Sequence, residues 1–187
     1  MSEIYIEGQK VTYYKPEELP MANLSFNDKD FYEDCYAVSD HICTQLNIQN
    51  PDIAFSGKLR RKGTNENESI LGGYLWIPED VPGLKKPLII VSLENYALNR
   101  FIGSLAHEHR HLWQHIYEPA MNKHPAAGFT ESLAHPAEID ADGYAIRYVS
   151  NYFGISIEKA AEIVCPEEKR AYPEAFKIRI LKSEKIK

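Results

Sequence analysis

The spacing of apolar and polar residues predicts several helices separated by short strands along this chain. Apolar residues three or four apart predict a first helix over residues 26–46. The stripe of this helix consists of Phe31, Cys35, Val38, Ile42 and Leu46. The same spacing predicts a second helix over residues 95–118. A third helix is predicted over residues 136–154, with proline in its first turn and glycine at its end, and a shorter one over residues 156–164.

Short apolar runs bounded by Gly, Pro and Asn lie between the first and second helices, and we expect them to be strands. These runs are Ile53–Phe55, Ile70–Ile77 and Leu88–Val91. Helices combined with hairpin-linked strands predict the α+β fold class. The predicted domain organisation is an N-terminal arm or hairpin over residues 1–22, a main domain over residues 23–165 and a charged C-terminal tail over residues 166–187.

Composition and charge narrow the classes of partner. The chain has 187 residues, 44% of them hydrophobic and 26% charged, which suits a globular domain with a real core. Its net charge of −6 argues against nucleic acid as a partner. No run approaches the roughly eighteen apolar residues of a membrane helix, and the N-terminus has no signal-peptide pattern. Three cysteines without close spacing favour a reducing compartment, so we expect a cytoplasmic protein with no membrane partner.

The candidate chemistry lies in the second helix, in the run His107-Glu-His-Arg-His111. Residues four apart on a helix are about 6 Å apart along the axis and share a face, so His107 and His111 can bind one metal ion. Glu108 then lies beside the metal as a base rather than a ligand. His115 continues the same face, but eight residues rise about 12 Å, so it cannot share a metal with His107. We expect His115 in the wall of a substrate cleft.

A catalytic zinc usually has three protein ligands and keeps one position open for water. The best third donor is Glu138, on the helix predicted after Pro136. Asp142 lies four residues further on the same face, where we expect it to hold the second ring nitrogen of His107. Ala141 and Ala145 continue this stripe, and such small side chains let two helices approach closely. The predicted cofactor is therefore one Zn²⁺ per chain.

At this point the sequence resembles the zincin metallopeptidases, and among them the gluzincins, over Leu93–Tyr152. The family pattern is His-Glu-x-x-His followed on a later helix by a ligand Glu and, four residues on, an acidic residue. The matching positions are His107, Glu108, His111, Glu138 and Asp142. The compact size is similar to that of small bacterial and phage metallopeptidase domains, some of which cleave repressors. The metzincin extension fails, because Gln114 and Tyr117 stand where that family needs Gly and His.

The resemblance implies a zincin-like fold and a zinc metallopeptidase, with a peptide or protein as substrate and Glu108 as general base. Two alternatives stay open: a zincin-like binding or immunity module with little turnover, and a hydrolase of a non-peptide amide. A donor that stabilises the oxyanion is also required. His124, His135 and Tyr144 are candidates, and the sequence does not choose between them.

Overall fold

A computed structural model gives the fold. It describes residues 2–6, 9–13, 31–56, 73–76, 78, 85–92, 98–122 and 133–186. The chain forms two compact units, residues 1–96 and 97–187, and combines helices with a small sheet, which confirms the α+β class. None of the helices in these ranges has the length and apolar character needed to span a membrane. The predicted segment boundaries at residues 22 and 165 stay a prediction.

The first unit begins with two antiparallel strands, β1 (Ser2–Ile6) and β2 (Gln9–Tyr13), in the region predicted as an arm or hairpin. The rest of that predicted arm, residues 14–22, lies outside the described residues. Helix α1 (Phe31–Leu46) follows, and the start predicted for it at residue 26 is also outside them. From Cys35 onwards the apolar stripe of α1 is buried, as the spacing predicted.

A three-stranded sheet completes the first unit. Its strands are β3 (Asp52–Ser56), β4 (Gly73–Trp76) and β5 (Leu88–Ser92), in the order β3-β5-β4. Strand β5 pairs antiparallel with β4 but in parallel with β3. Because a hairpin joins only antiparallel strands, the expectation of hairpin-linked strands is wrong for β3. All five residues of β5 are buried, which explains why this central strand is a continuous apolar run rather than an alternating one.

The second unit is helical over its described residues. Its α-helices are α2 (Leu98–Tyr117), α3 (Pro136–Phe153), α4 (Ile157–Val164), α5 (Pro166–Ala171) and α6 (Pro173–Lys185), and a 3₁₀ turn covers Pro119–Asn122. Helix α3 is central, because α2, α4 and α6 all pack against it. It ends at Gly154, whose φ of 63° is the left-handed conformation that glycine adopts without strain.

Small residues allow this close helix packing. Ala141 and Ala145 of α3 are fully buried, as expected from the predicted stripe of small residues. On α2 the buried apolar stripe consists of Phe101, Leu105 and Leu112. Ile116 has the spacing of this stripe but is 47% exposed, so the buried apolar stripe of α2 ends at Leu112.

The C-terminal residues differ in two ways from the sequence-based expectation. Pro166 does not only end a helix; it opens α5 at the first helical position, where its missing N–H costs nothing. In helix α6 the two buried side chains are polar, while two apolar side chains are exposed. Arg179 is 1% exposed and Ser183 fully buried, whereas Ile178 is 47% and Leu181 54% exposed.

The three cysteines are buried thiols. Cys35 and Cys43 lie on α1, and Cys165 lies between α4 and α5. Burial raises the pKa of Cys43 to about 11, although a hydrogen bond with Ser39 opposes this shift. These thiols are buried as small core residues, and Cys35 belongs to the apolar stripe predicted for α1.

Candidate metal centre

Two imidazoles of α2 and one carboxylate of α3 converge within the second unit. The Nε2 atoms of His107 and His111 are 2.9 Å apart. Glu138 places its Oε2 atom 3.4 Å from the Nε2 of His107 and 3.6 Å from that of His111. Each residue offers one ligand atom, and these atoms lie within 4.8 Å of one another, so the group could hold a metal ion.

Helix geometry explains why these three side chains meet. His107 and His111 are one turn apart on α2 and face the same direction. Helix α3 begins at Pro136, so Glu138 lies in its first turn, where the helix dipole favours a negative charge. Burial acts to raise the pKa of Glu138, but hydrogen bonds and charge interactions with both histidines outweigh it and lower the pKa, so this carboxylate is ionised.

Asp142 lies one turn after Glu138 and contacts the other side of the first imidazole. Its Oδ1 is 2.8 Å from the Nδ1 of His107, and its Oδ2 accepts a hydrogen bond of 2.5 Å from the Nε of Arg179. Because an ionised carboxylate only accepts, His107 donates through Nδ1–H. In the neutral imidazole, this contact leaves Nε2 without a proton, which is the form that binds a metal.

Gln114 fixes the tautomer of the second imidazole, that of His111. Its Oε1 is 2.8 Å from the Nδ1 of His111, while its Nε2 donates to the carbonyl of Ala137 and to Asp140, both at 2.9 Å. Since both partners of the amide nitrogen are acceptors, the amide orientation is fixed, and the oxygen faces His111. His111 therefore donates through Nδ1–H and keeps its Nε2 as an acceptor.

These two orientations provide a test of whether the site fits a metal. With both Nδ1 atoms donating, the neutral imidazoles of His107 and His111 point two acceptor nitrogens at each other across 2.9 Å, with the Glu138 carboxylate beside them. Three acceptors this close repel one another unless a proton or a metal cation lies among them. A metal ion bound by two nitrogens and one oxygen satisfies this requirement, and the donor set suits Zn²⁺ and related divalent ions.

The carboxylates around the two histidines also raise the pKa values of both imidazoles. Burial lowers the pKa of His107, but Asp142, Glu138 and the charge of Glu108 outweigh it and hold the pKa well above its usual value. Burial and the neighbouring His107 lower the pKa of His111, yet the two carboxylates Glu138 and Glu108 raise it on balance. Without a metal, the site therefore binds a proton more tightly than an ordinary histidine does.

Glu108 lies next to His107 on α2 and is 7% exposed. Burial raises the pKa of its carboxyl group, and the charges of His107 and His111 only partly reverse that shift. A carboxylate with a raised pKa beside the ligand cluster is suited to accept and return a proton near neutral pH.

The other candidate residues that the structure describes are not part of the three-residue cluster. His109 is fully buried, its Nδ1 lies 2.7 Å from the carbonyl of Leu105, and burial lowers its pKa to about 4, so it is a neutral core residue. His115 is half-buried on the last turn of α2. Tyr144 is buried on α3, and His135 occupies the position just before that helix begins. His124 lies outside the described residues.

A second group of possible ligands lies behind the first and consists of Asp142, Cys165 and Glu168. This group surrounds the guanidinium of Arg179, which donates to Asp142 and lies 4.0 Å from Glu168. Arg179 already places a positive charge between these two acids, so this group differs from the cluster around Glu138.

Sequence reasoning missed the side chains that support the imidazoles. The sequence analysis considered Gln114 only as a mismatch to the metzincin pattern. It lies three residues after His111, and helical side chains at this spacing can contact each other. That spacing could have identified Gln114 as a hydrogen-bond partner of His111. Arg179 is 37 residues beyond Asp142 in a segment rich in charge, and no local pattern connects the two.

Comparison with protein-family models, with curated proteins and with solved structures found no match for this chain. Its candidate function is therefore argued from the site itself.

Proposed function

We propose that this protein is a zinc-dependent metallopeptidase with a zincin-like fold, in which His107, His111 and Glu138 bind one Zn²⁺. The observation that carries the proposal is the convergence of two imidazole nitrogens and one carboxylate oxygen within 3.6 Å, with Glu108 beside them. A structural zinc site has no need of a buried carboxylate next to its ligands, so Glu108 favours a catalytic role.

When bound, Zn²⁺ would polarise the substrate carbonyl as a Lewis acid and lower the pKa of a water ligand to about 7. Glu108 accepts the proton of the water that attacks the carbonyl carbon. It then returns that proton to the departing amine nitrogen as the carbon–nitrogen bond breaks. The same carboxylate therefore serves as base and acid, and its pKa, raised by burial, suits both steps.

The supporting residues keep the ligands in their binding form. Asp142 and Gln114 fix the tautomers of His107 and His111, so that neither imidazole has to reorganise when the metal enters. The ligand side chains are 18%, 16% and 27% exposed for His107, His111 and Glu138, so the cluster reaches the protein surface. Such access suits a site that must admit water and substrate.

The test compares wild type with Glu108→Gln, using metal analysis and cleavage of a mixed peptide library. We expect one zinc per chain in both proteins and loss of nearly all cleavage in the variant, because glutamine cannot accept the proton. Glu118→Gln, an exposed residue just after α2, is the matched control and should cleave like wild type. Equal cleavage by wild type and Glu108→Gln would refute the proposal, as would a wild type that binds no zinc.

The two alternatives give different outcomes in the same experiment. A binding or immunity module would hold zinc in wild type but cleave no peptide. A hydrolase of non-peptide amides would leave the library intact and hydrolyse a panel of small amides in a Glu108-dependent way.

A further inference from the structure

Helix α6 carries two cations on adjacent turns, and each contacts a carboxylate of α3 that supports the ligand cluster. Arg179 donates to one oxygen of Asp142, whose other oxygen accepts from His107. Lys182 places its Nζ 2.8 Å from Asp140, which accepts from the amide nitrogen of Gln114. Each imidazole of the ligand cluster is thus connected through hydrogen bonds to a positive charge on α6.

Asp140 is the branching point of the second connection. Its carboxylate also accepts from the Nε of Arg110 at 2.7 Å, and burial acts to raise its pKa. Hydrogen bonds from Arg110, Lys182 and Gln114 outweigh burial and lower the pKa to about 2. The first connection differs from the second in its number of cations. Among the described residues, Arg179 is the one cation that contacts the Oδ2 of Asp142.

Arg179 is held rigidly where it meets Asp142. Its side chain is 1% exposed, and its Nη1 donates to the carbonyl of Leu133 at 3.1 Å, just before α3. Gly143 permits this contact between helices, because a Cβ there would lie 2.6 Å from the Cγ of Lys182 and 3.3 Å from the backbone nitrogen of Ser183. The two helices approach too closely for a larger residue at that position.

We propose that helix α6 is a functional part of the metal centre and that Arg179 is its positioning residue, acting on the metal through Asp142 and His107. This inference rests on the proposed metal site. The guanidinium fixes the Asp142 carboxylate in the orientation that holds the His107 tautomer. By reciprocity, a residue that strengthens metal binding must itself be held more firmly when the metal is bound.

A purely structural ion pair would behave differently. It would stabilise the fold equally with and without metal, and its removal would leave the metal affinity of the folded protein unchanged. If Arg179 is a positioning residue, the stability of the fold and the metal affinity are linked. Loss of Arg179 then frees the orientation of Asp142 and hence of His107.

The first experiment measures zinc affinity by competition with a chromophoric chelator for wild type, Arg179→Gln and Arg179→Lys. Loss of a supporting partner typically weakens metal affinity about 10- to 100-fold, and we expect a loss in that range for Arg179→Gln. Arg179→Lys keeps the charge and should lose less. Lys177→Gln, on the exposed face of the same helix, is the control and should bind like wild type.

The second experiment uses wild type alone, so it holds even where Arg179→Gln does not fold. Backbone hydrogen exchange is measured with and without zinc, and the α6 amides should exchange several-fold more slowly with zinc, while α1 of the first unit is unchanged. A wild type that binds no zinc would overturn both this inference and the proposed function. Zinc binding with α6 exchange unaffected, or with folded Arg179→Gln at wild-type affinity, would overturn this inference alone.

Discussion

Gln114 and His111 face each other across a hydrogen bond of 2.8 Å, in which the histidine must be the donor. The amide nitrogen of Gln114 is occupied by two acceptors, so only its oxygen can face the ring. A fully buried glutamine thereby decides which nitrogen of His111 is available to a metal. The orientation of a ligand is set here by a residue that would never touch the metal.

Replacing Gln114 with leucine should weaken zinc binding about 10- to 100-fold, because His111 loses the acceptor that fixes its tautomer. Chelator competition measures the affinity. The same substitution at Gln45, an exposed residue of α1, is the control and should have no effect. Unchanged zinc affinity in a folded Gln114→Leu protein would show that the tautomer of His111 does not depend on this contact.

Asp142→Ala should destabilise the metal-free protein by about 3–5 kcal/mol, since it leaves the buried guanidinium of Arg179 without its carboxylate. Urea unfolding in the presence of a chelator measures the loss. Glu174→Ala removes an exposed ion pair with Lys177 and should leave the free energy of unfolding unchanged. A loss for Asp142→Ala no larger than that of the control would contradict the role given to this buried pair.

Gly143→Ala tests the close approach of α3 and α6. Alanine gains about 1 kcal/mol of helix propensity over glycine, but the crowding against Lys182 and Ser183 should cost about 1–3 kcal/mol. We therefore expect net destabilisation and weaker zinc binding. Gly103→Ala is the comparison, because its Cβ would meet only side-chain methyl groups, those of Val164 at 3.1 Å and Val149 at 3.6 Å. A Gly143→Ala protein more stable than wild type would show that the helices separate without cost.

Zinc should stabilise the protein more at pH 8 than at pH 6. In the metal-free protein the pKa values of His107 and His111 are raised above the unfolded value of about 6.5. Their protonation therefore stabilises the fold fully below about pH 6.5 and is lost as pH rises through the raised values. Zinc replaces those protons, so the zinc-induced rise in Tm should grow over this range. A rise in Tm that shrinks between pH 6 and pH 8 would contradict this.

Local patterns predicted the parts of the site that depend on helical periodicity. The apolar stripe of α2 fixed which face carries His107 and His111, and Pro136 fixed where α3 begins and hence the place of Glu138. The supporting residues depend instead on tertiary contacts. Arg179 lies on a helix whose apolar Ile178 and Leu181 face outward, so hydrophobic periodicity predicts the wrong buried face there.

The central claim is that His107, His111 and Glu138 bind one metal ion, and a crystal structure of the zinc-loaded protein with anomalous data tests it most directly. We predict one anomalous peak per chain, about 2.0–2.2 Å from both Nε2 atoms and a Glu138 oxygen. A zinc peak elsewhere, or a Glu138 carboxylate turned away from the two imidazoles with zinc present, would contradict the account.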